Sequence, residues 1–128
     1  MQFDPRAVPL SRYRRAGDLV FLSGQIAFGR DGKITAADIE GQTRQVLQNI
    51  SSVLAECGCT LRDVVNATIW LANADDFARF NQIYAEYFPA NPPARSTVIS
   101  GLLAGALVEI AVVATQPASK NEADRRVN

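Results

Sequence analysis

Two charged residues stand in segments whose pattern predicts β-strands, and they are the first candidates for chemistry. Glu109 lies in "ALVEIAVVA" (residues 106–114), where a period of two leaves it no polar face, and Arg95 opens a β-branched run shortly after Pro92 and Pro93. Desolvating an unpaired carboxylate among aliphatic side chains is costly, so Glu109 must be paired, be protonated or lie at a wet pocket. Buried carboxylates of raised pKa also act as general acids and bases.

The alternation of a strand places Arg95 and Thr97 on one face. If their strand neighbours the strand of Glu109, a guanidinium, a hydroxyl and a carboxylate are grouped on one sheet surface. The planar fork of an arginine suits a substrate carboxylate. The structural alternative is that Arg95 holds Glu109 itself, or a main-chain carbonyl, as a tie within the fold.

Three further residues extend this group. Ser23 and Gly24 offer a hydroxyl and an accessible backbone, because a glycine inside a strand pattern marks a bulge or a close approach, and Tyr13 offers an aromatic wall with a donor. The chain has no histidine, so the Ser-His-Asp type of site lacks its base. Cys57 and Cys59 are too close for easy disulfide geometry and too few for zinc, which favours a reduced pair. The residues alone indicate a small pocket for a carboxylated organic molecule.

The elements that must position these residues follow from hydrophobic periodicity. We expect a hairpin with strands over 12–16 and 19–23, a helix from Asp38 that Gly58 ends, a central strand in 63–72, a second helix after it, and strands over 94–99 and 106–114. In the central strand Val65, Ala67, Ile69 and Leu71 should face one side, and Val64, Asn66, Thr68 and Trp70 the other. Asn73, Asp75 and Asp76 are candidate N-caps of the second helix. The order ββ(β)αβαββ predicts an α+β fold, a mixed sheet with two helices on one face. The uncovered face should drive self-association.

Composition limits the class of protein. With 128 residues, 48% of them hydrophobic, the chain fits one domain over 1–117, followed by a polar tail over 118–128 that lacks the apolar residues to order itself. Thirteen basic and thirteen acidic residues give no net charge, which disfavours nucleic acid and anionic membrane as partners. The first ten residues lack a secretory pattern and no apolar run reaches the roughly 20 residues of a membrane span, so we expect a cytoplasmic protein.

Four segments together resemble a known family. They are "SGQIAF" (23–28), "QTRQVLQNISSVLAECGCTLRDVVNATIWL" (42–71), "FNQIYAEYFPANPPARSTV" (80–98) and "GALVEIAVVA" (105–114), and they are similar to the RidA family, also called YjgF/YER057c/UK114. The resemblance covers about residues 10–116. It implies a chorismate-mutase-like fold, a homotrimer with sites between subunits, and hydrolysis of enamine or imine acids to oxo acids and ammonia without a cofactor.

The resemblance also implies roles for residues. Arg95 is similar to the arginine that binds the substrate carboxylate, and Glu109 to the carboxylate that positions the attacking water. The matched pocket residues are Tyr13, Ser23, Gly24 and Asn81. The match departs from the family at Thr97, where well-known members carry cysteine, at Ser11 and Arg12 in place of Gly-Pro, and at Leu103 in place of a common proline.

Three functions stay open at this point. The chain is a deaminase of small 2-imino or 2-aminoacrylate acids, a pathway-specific deaminase of a larger substrate such as an aminomuconate or a pyrimidine-derived aminoacrylate, or a non-catalytic ligand-binding or chaperone-like trimer. An endoribonuclease activity is also attributed to the family, but the zero net charge argues against it here.

Overall fold

The computed structural model describes residues 7–117, so the predicted polar tail lies outside the described residues. Within that range the elements are β1 (Tyr13–Ala16), β2 (Leu19–Leu22), α1 (Ile39–Glu56), β3 (Val64–Leu71), α2 (Phe77–Tyr87), β4 (Ala94–Ile99) and β5 (Val108–Thr115). Short 3-10 turns precede β3, α2 and β5. The predicted strands and helices are confirmed to within two residues at their ends. The exception is the third strand, given in parentheses in the predicted order, because the segment before α1 forms only isolated bridges.

The five strands form one mixed sheet in the order β1-β2-β5-β3-β4. The pairs are antiparallel except β3 with β4, which run parallel and are joined by α2 as a crossover. The β1–β2 hairpin turns at Gly17, whose φ of 59° is a left-handed conformation that favours glycine. The predicted α+β class is therefore confirmed.

Helix α1 begins and ends where the sequence predicts. The Asp38 carboxylate accepts a hydrogen bond of 2.8 Å from the backbone N–H of Gly41, which satisfies one of the free donors of the first turn. Gly58, just past the helix, has a φ of 76° and donates its N–H to Ala55. The face that packs on the sheet is apolar and fully buried at Val46, Leu47, Ile50 and Leu54.

Helix α2 departs from the expected capping. It begins at Phe77 after a 3-10 turn over Ala74–Asp76, and neither Asn73 nor Asp76 makes a side-chain capping hydrogen bond. Packing stabilises this helix instead, because Phe80, Tyr84 and Phe88 stack along one face with ring centroids 5.4 and 4.6 Å apart.

The sheet has a covered face and an open face. Alternate residues of β5, β3 and β2 face the helices and form the core, among them Val20, Ile69, Leu71, Val108 and Ile110, all fully buried. One predicted assignment is wrong: Val64 is buried and Val65 is exposed. The pairing of β3 with β5 shifts register between Val64 and Asn66, and this irregularity reverses the alternation at the start of the strand.

The open face keeps large apolar side chains at its surface. Phe21, Val65 and Val98 are each close to half exposed. Across residues 7–117, no helix is long and apolar enough to cross a membrane.

Candidate functional site

Glu109 lies near the start of β5, on the open face of the sheet and opposite Trp70 of β3. Its chain neighbours Val108 and Ile110 point the other way and are fully buried, which confirms the predicted alternation. The core therefore fixes the backbone immediately before and after Glu109, and this holds the carboxylate in place.

The backbone at Gly24 closes against the Glu109 side chain. A Cβ built on Gly24 would lie 3.2 Å from Glu109 Cδ and closer still to its Oε2, so only glycine fits without a shift. Two backbone hydrogen bonds hold this approach, from Gln25 N to Ile110 O at 2.8 Å and from Ile110 N to Gln25 O at 3.0 Å. The prediction of a close approach at Gly24 is confirmed, and the partner is the candidate catalytic carboxylate.

Burial raises the pKa of Glu109 above the ordinary value of a glutamate, because partial removal from water disfavours the charged form. Among residues 7–117 no hydrogen-bond or ion-pair partner reaches the carboxylate. An acidic group that is half-buried, unpaired and of raised pKa is suited to accept and return a proton.

A cleft of about 640 Å³ opens beside Glu109. It is lined by Val8, Leu10, Arg12, Ser23, Gly24, Gln25, Ile26, Phe28, Asn49, Ser52, Val53, Leu103 and Glu109. Ser23 donates its hydroxyl to Ser11 O at 2.5 Å, and Arg12 pairs with Glu56 at 3.0 Å. The predicted residues Ser23, Gly24 and Glu109 are therefore brought together in one cleft.

Arg95 lies elsewhere, on the edge strand β4. Its register opposite Ala67, a fully buried core residue, turns its side chain to the helix side of the sheet. There Nη2 donates to Oδ1 of Asn81 at 2.6 Å. The guanidinium carbon is also 5.0 Å from the ring centroid of Tyr84 and 5.7 Å from that of Phe80, so that α2 surrounds the cation with aromatic faces.

Thr97 shares the face of Arg95, as predicted, and pairs with Ile69 of β3. A hydroxyl and a guanidinium thus lie two residues apart on the same side of an edge strand. The pairing of Arg95 with Asn81 brings together two of the predicted site residues.

Within one chain, Arg95 and Glu109 do not meet. Strand β3 lies between β4 and β5, and the two side chains are on opposite faces of the sheet. The expected grouping of guanidinium, hydroxyl and carboxylate is wrong for a single copy, and so is a tie between Arg95 and Glu109 inside it. The physical reason is the parallel crossover: α2 carries the chain from β3 to the edge, while β5 returns between β2 and β3.

Tyr13 is a second residue that the single chain keeps apart from Glu109. It pairs with Leu22, whose side chain is buried on the helix side, and Arg15 lies over its ring at 5.5 Å. Tyr13 does not line the Glu109 cleft.

Sequence reasoning missed the polar side chains of α1 that support the cleft. Asn49 donates its amide to Phe28 O at 2.8 Å and to Ile26 O at 3.3 Å, and Gln45 donates to Asn49 Oδ1 at 2.9 Å. Gln42, which is only 3% exposed, accepts from Leu107 N at 2.8 Å. The signal available in the sequence was a polar residue at each of these positions beside the apolar stripe of the helix.

The cysteines take no part in this arrangement. Cys57 and Cys59 are buried and free, as expected, and burial raises the pKa of both thiols, which disfavours the reactive thiolate. Residues 7–117 contain no group of three or more His, Cys, Asp or Glu side chains that could hold a metal ion.

Known proteins are similar to this chain in both sequence and fold. The model of the family described as Endoribonuclease L-PSP matches residues 3–116. A RutC family protein of Pyrococcus horikoshii is 43% identical over 83% of this chain and 86% of its own length. The chloroplastic Reactive Intermediate Deaminase A of Arabidopsis thaliana is 43% identical over 84% of this chain and 58% of its own length. The crystal structure of a Rid family protein from Yersinia pestis superposes with a TM-score of 0.81 at 44% identity, covering 84% of this chain and 87% of that one.

Proposed function

Since the chain belongs to the Endoribonuclease L-PSP family and is similar to RutC and Rid family proteins, we propose that it is a hydrolytic deaminase of 2-imino and enamine acids. The product is a 2-oxo acid and ammonia. A relative of 43% identity that is named as a reactive intermediate deaminase supports the reaction class. The observation that carries the proposal for this chain is the unpaired carboxylate of Glu109 in a cleft, against a glycine that leaves it room.

The proposed site is shared between copies of the chain in a homotrimer. Arg95 of one copy binds the substrate carboxylate, and Glu109 of the next copy faces the imine carbon. Two features support this arrangement: the two side chains lie on opposite faces of one sheet, and the open face that carries Glu109 also exposes Phe21, Val65 and Val98.

Glu109 acts as a base and then as an acid in the proposed reaction. It takes a proton from water while the oxygen attacks the imine carbon, and the electron pair of the C=N bond moves to nitrogen, which gains a proton. Glu109 returns its proton to that nitrogen, and in the resulting carbinolamine it carries the proton of the hydroxyl to the amine, so that the C–N bond breaks with loss of ammonia and the C=O bond of the oxo acid forms. Every step moves only protons and electron pairs, so the substrate's own electrophilic carbon and one carboxylate are sufficient.

Asn81 and the rings of α2 have a supporting role in this proposal. One donor of the Arg95 guanidinium is already used by Asn81, and the aromatic faces restrict its plane. A cation held in this way loses less conformational freedom when it binds a carboxylate bidentately. Thr97 adds a hydroxyl on the same face. We place the activity in the cytoplasm, as the sequence predicts.

The experiment that tests the function is hydrolysis of imines made in place by an L-amino-acid oxidase or a threonine dehydratase. The protein should accelerate release of 2-oxo acid and ammonia above the spontaneous rate. Glu109→Gln keeps the shape of the side chain and removes the base, so kcat should fall roughly a hundredfold. No acceleration of any imine by the natural chain would refute the proposed activity and leave ligand binding as the function of the site.

The pH dependence follows from the direction of the pKa shift. Glu109 must be ionised to take a proton from water, and burial raises its pKa. The rate should therefore fall, as the pH is lowered, at a higher pH than an ordinary glutamate would give. The measurement is kcat/KM against pH for the natural chain, because this constant reports the free protein, with the Glu109→Gln variant expected to lose this acid limb.

A further inference from the structure

The cleft beside Glu109 is larger and more apolar than a short imino acid requires. At about 640 Å³ in one chain, it has room for the Arg95 side chain of a second copy and for more than a three-carbon or four-carbon acid. Away from the carboxylate its wall is formed by aliphatic and aromatic side chains, Val8, Leu10, Ile26, Phe28, Val53 and Leu103. A substrate that buries its own apolar surface against this wall binds more tightly.

Leu103 is presented to this cleft by an unusual turn. Ala104 and Gly105 both have left-handed backbones, with φ of 58° and 69°, and Ala106 N closes the turn on Leu103 O at 3.0 Å. Left-handed conformations are uncommon for alanine, and the turn leaves Leu103 59% exposed. A leucine exposed in this way at the rim of an apolar cleft is placed to cover whatever enters the cleft.

The charged groups of the cleft do not favour a second acid on the substrate. Arg12 lines the cleft, but it pairs with Glu56 at 3.0 Å. The carboxylate of Glu109 repels a further negative charge near it. The remaining lining is polar but uncharged, at Ser23, Gln25, Asn49 and Ser52.

From this geometry we infer that the cleft selects 2-imino acids with bulky apolar side chains, branched aliphatic or aromatic, and that Leu103 is a specificity-determining residue. The inference rests on the proposed function, because it assumes that the imine carbon lies at Glu109. The side chain of the substrate then extends along the apolar wall under Leu103 and Leu10. Full burial would add about fourfold to binding for each methylene group, and the partial burial that an open cleft gives a leucine or phenylalanine side chain should add roughly tenfold in all.

The first test compares imines that an L-amino-acid oxidase generates from alanine, leucine, phenylalanine and glutamate. We expect kcat/KM for the leucine and phenylalanine imines to exceed that for the alanine imine by roughly tenfold, with the glutamate imine the poorest. Leu103→Ala should remove most of that advantage, because the larger side chains lose more buried surface than the methyl group of the alanine imine does. Leu19→Ala, a matched change at an exposed leucine that does not line the cleft, should leave the ratio unaltered.

The second test separates selectivity from catalysis by measuring the affinity of stable 2-oxo acids. By calorimetry, 4-methyl-2-oxopentanoate and phenylpyruvate should bind roughly tenfold more tightly than pyruvate. In the Leu103→Ala variant the affinities of the three acids should be similar. Equal affinities in the natural chain would overturn the inference whether or not imines are hydrolysed. Selective binding without hydrolysis would uphold it and would instead count against the proposed reaction.

Discussion

The surroundings of Arg95 and of Glu109 differ in almost every respect. Arg95 is held by a hydrogen bond of 2.6 Å to Asn81 and lies among the aromatic rings of α2 on the helix side of an edge strand. Glu109 is on an inner strand, on the open face, with no polar partner among residues 7–117 and a pKa that burial raises. One charge is ordered in advance, and the other is left available for a proton and a water molecule.

This difference indicates separate tasks. A group that anchors a substrate gains from being rigid, because the entropy of ordering it is already spent in the free protein. A general base gains from a poorly solvated environment, which brings its pKa closer to neutral pH. Each residue has the surroundings that suit its proposed role, and the two sets of surroundings are built by different elements of the chain.

Among these predictions, substitution of Arg95 should lower the activity most. Arg95→Ala removes both the charge and the fork, and kcat/KM should fall roughly a hundredfold through loss of charge-assisted hydrogen bonds to the substrate. Arg95→Lys keeps the charge and should fall roughly tenfold. Arg62→Ala, an exposed arginine on the 3-10 turn before β3, is the control. Equal values for the lysine variant and the natural chain would mean that the bidentate fork is not used.

The second-largest loss of activity should come from disturbing the close contact between Gly24 and Glu109. Gly24→Ala should lower kcat roughly tenfold, because the new methyl group forces the carboxylate from its place and a small misplacement of a catalytic group is costly. Gly101→Ala is the matched control, since a Cβ there meets nothing within 4 Å and the backbone is not left-handed. If both alanine variants keep the natural kcat, the position of Glu109 is not what limits the reaction.

The smallest effect concerns the buried hydroxyl of Tyr84, which lies close to Arg95 but has no hydrogen-bond partner of good geometry within the described part of the chain. Burial raises the pKa of this phenol, and the nearby charge of Arg95 opposes the rise. Tyr84→Phe keeps the ring and removes an unsatisfied polar atom, so the melting temperature should stay the same or rise, with kcat/KM within about twofold of the natural value. A tenfold loss would show that the hydroxyl, and not the ring, orients Arg95.

Sequence reasoning succeeded where a property is local to one strand or helix. The faces of β5 and the pairing of Arg95 with Thr97 on one side follow from the period of two, and the ends of α1 follow from Asp38 and Gly58. The order of the strands did not follow, because it depends on how α2 crosses the sheet. The irregularity that exchanges Val64 and Val65 was equally hidden, since it arises from the pairing with β5.

The site shows the same division. The family resemblance identified Arg95, Asn81, Ser23, Gly24 and Glu109 by their motifs, and the structure brings them together as two groups, with Arg95 beside Asn81 and the other three in the cleft. In the sequence, the aromatic residues that surround Arg95 indicate only the apolar face of a helix. Nothing in the pattern of α2 says which strand it will cover, so its contact with the cation required the packed structure.

The central claim is that Arg95 of one copy and Glu109 of another form a single site, and mixing of inactive subunits tests it most directly. Chains carrying Arg95→Ala and Glu109→Gln are co-expressed with different affinity tags, and trimers that contain both are purified. In every ring of three that contains both variants, one of the three Arg95–Glu109 pairings keeps both residues, so about a third of the natural activity per site should return. A double variant paired with either single variant is the control and should stay inactive. Mixed assemblies as inactive as their parents would contradict the shared site.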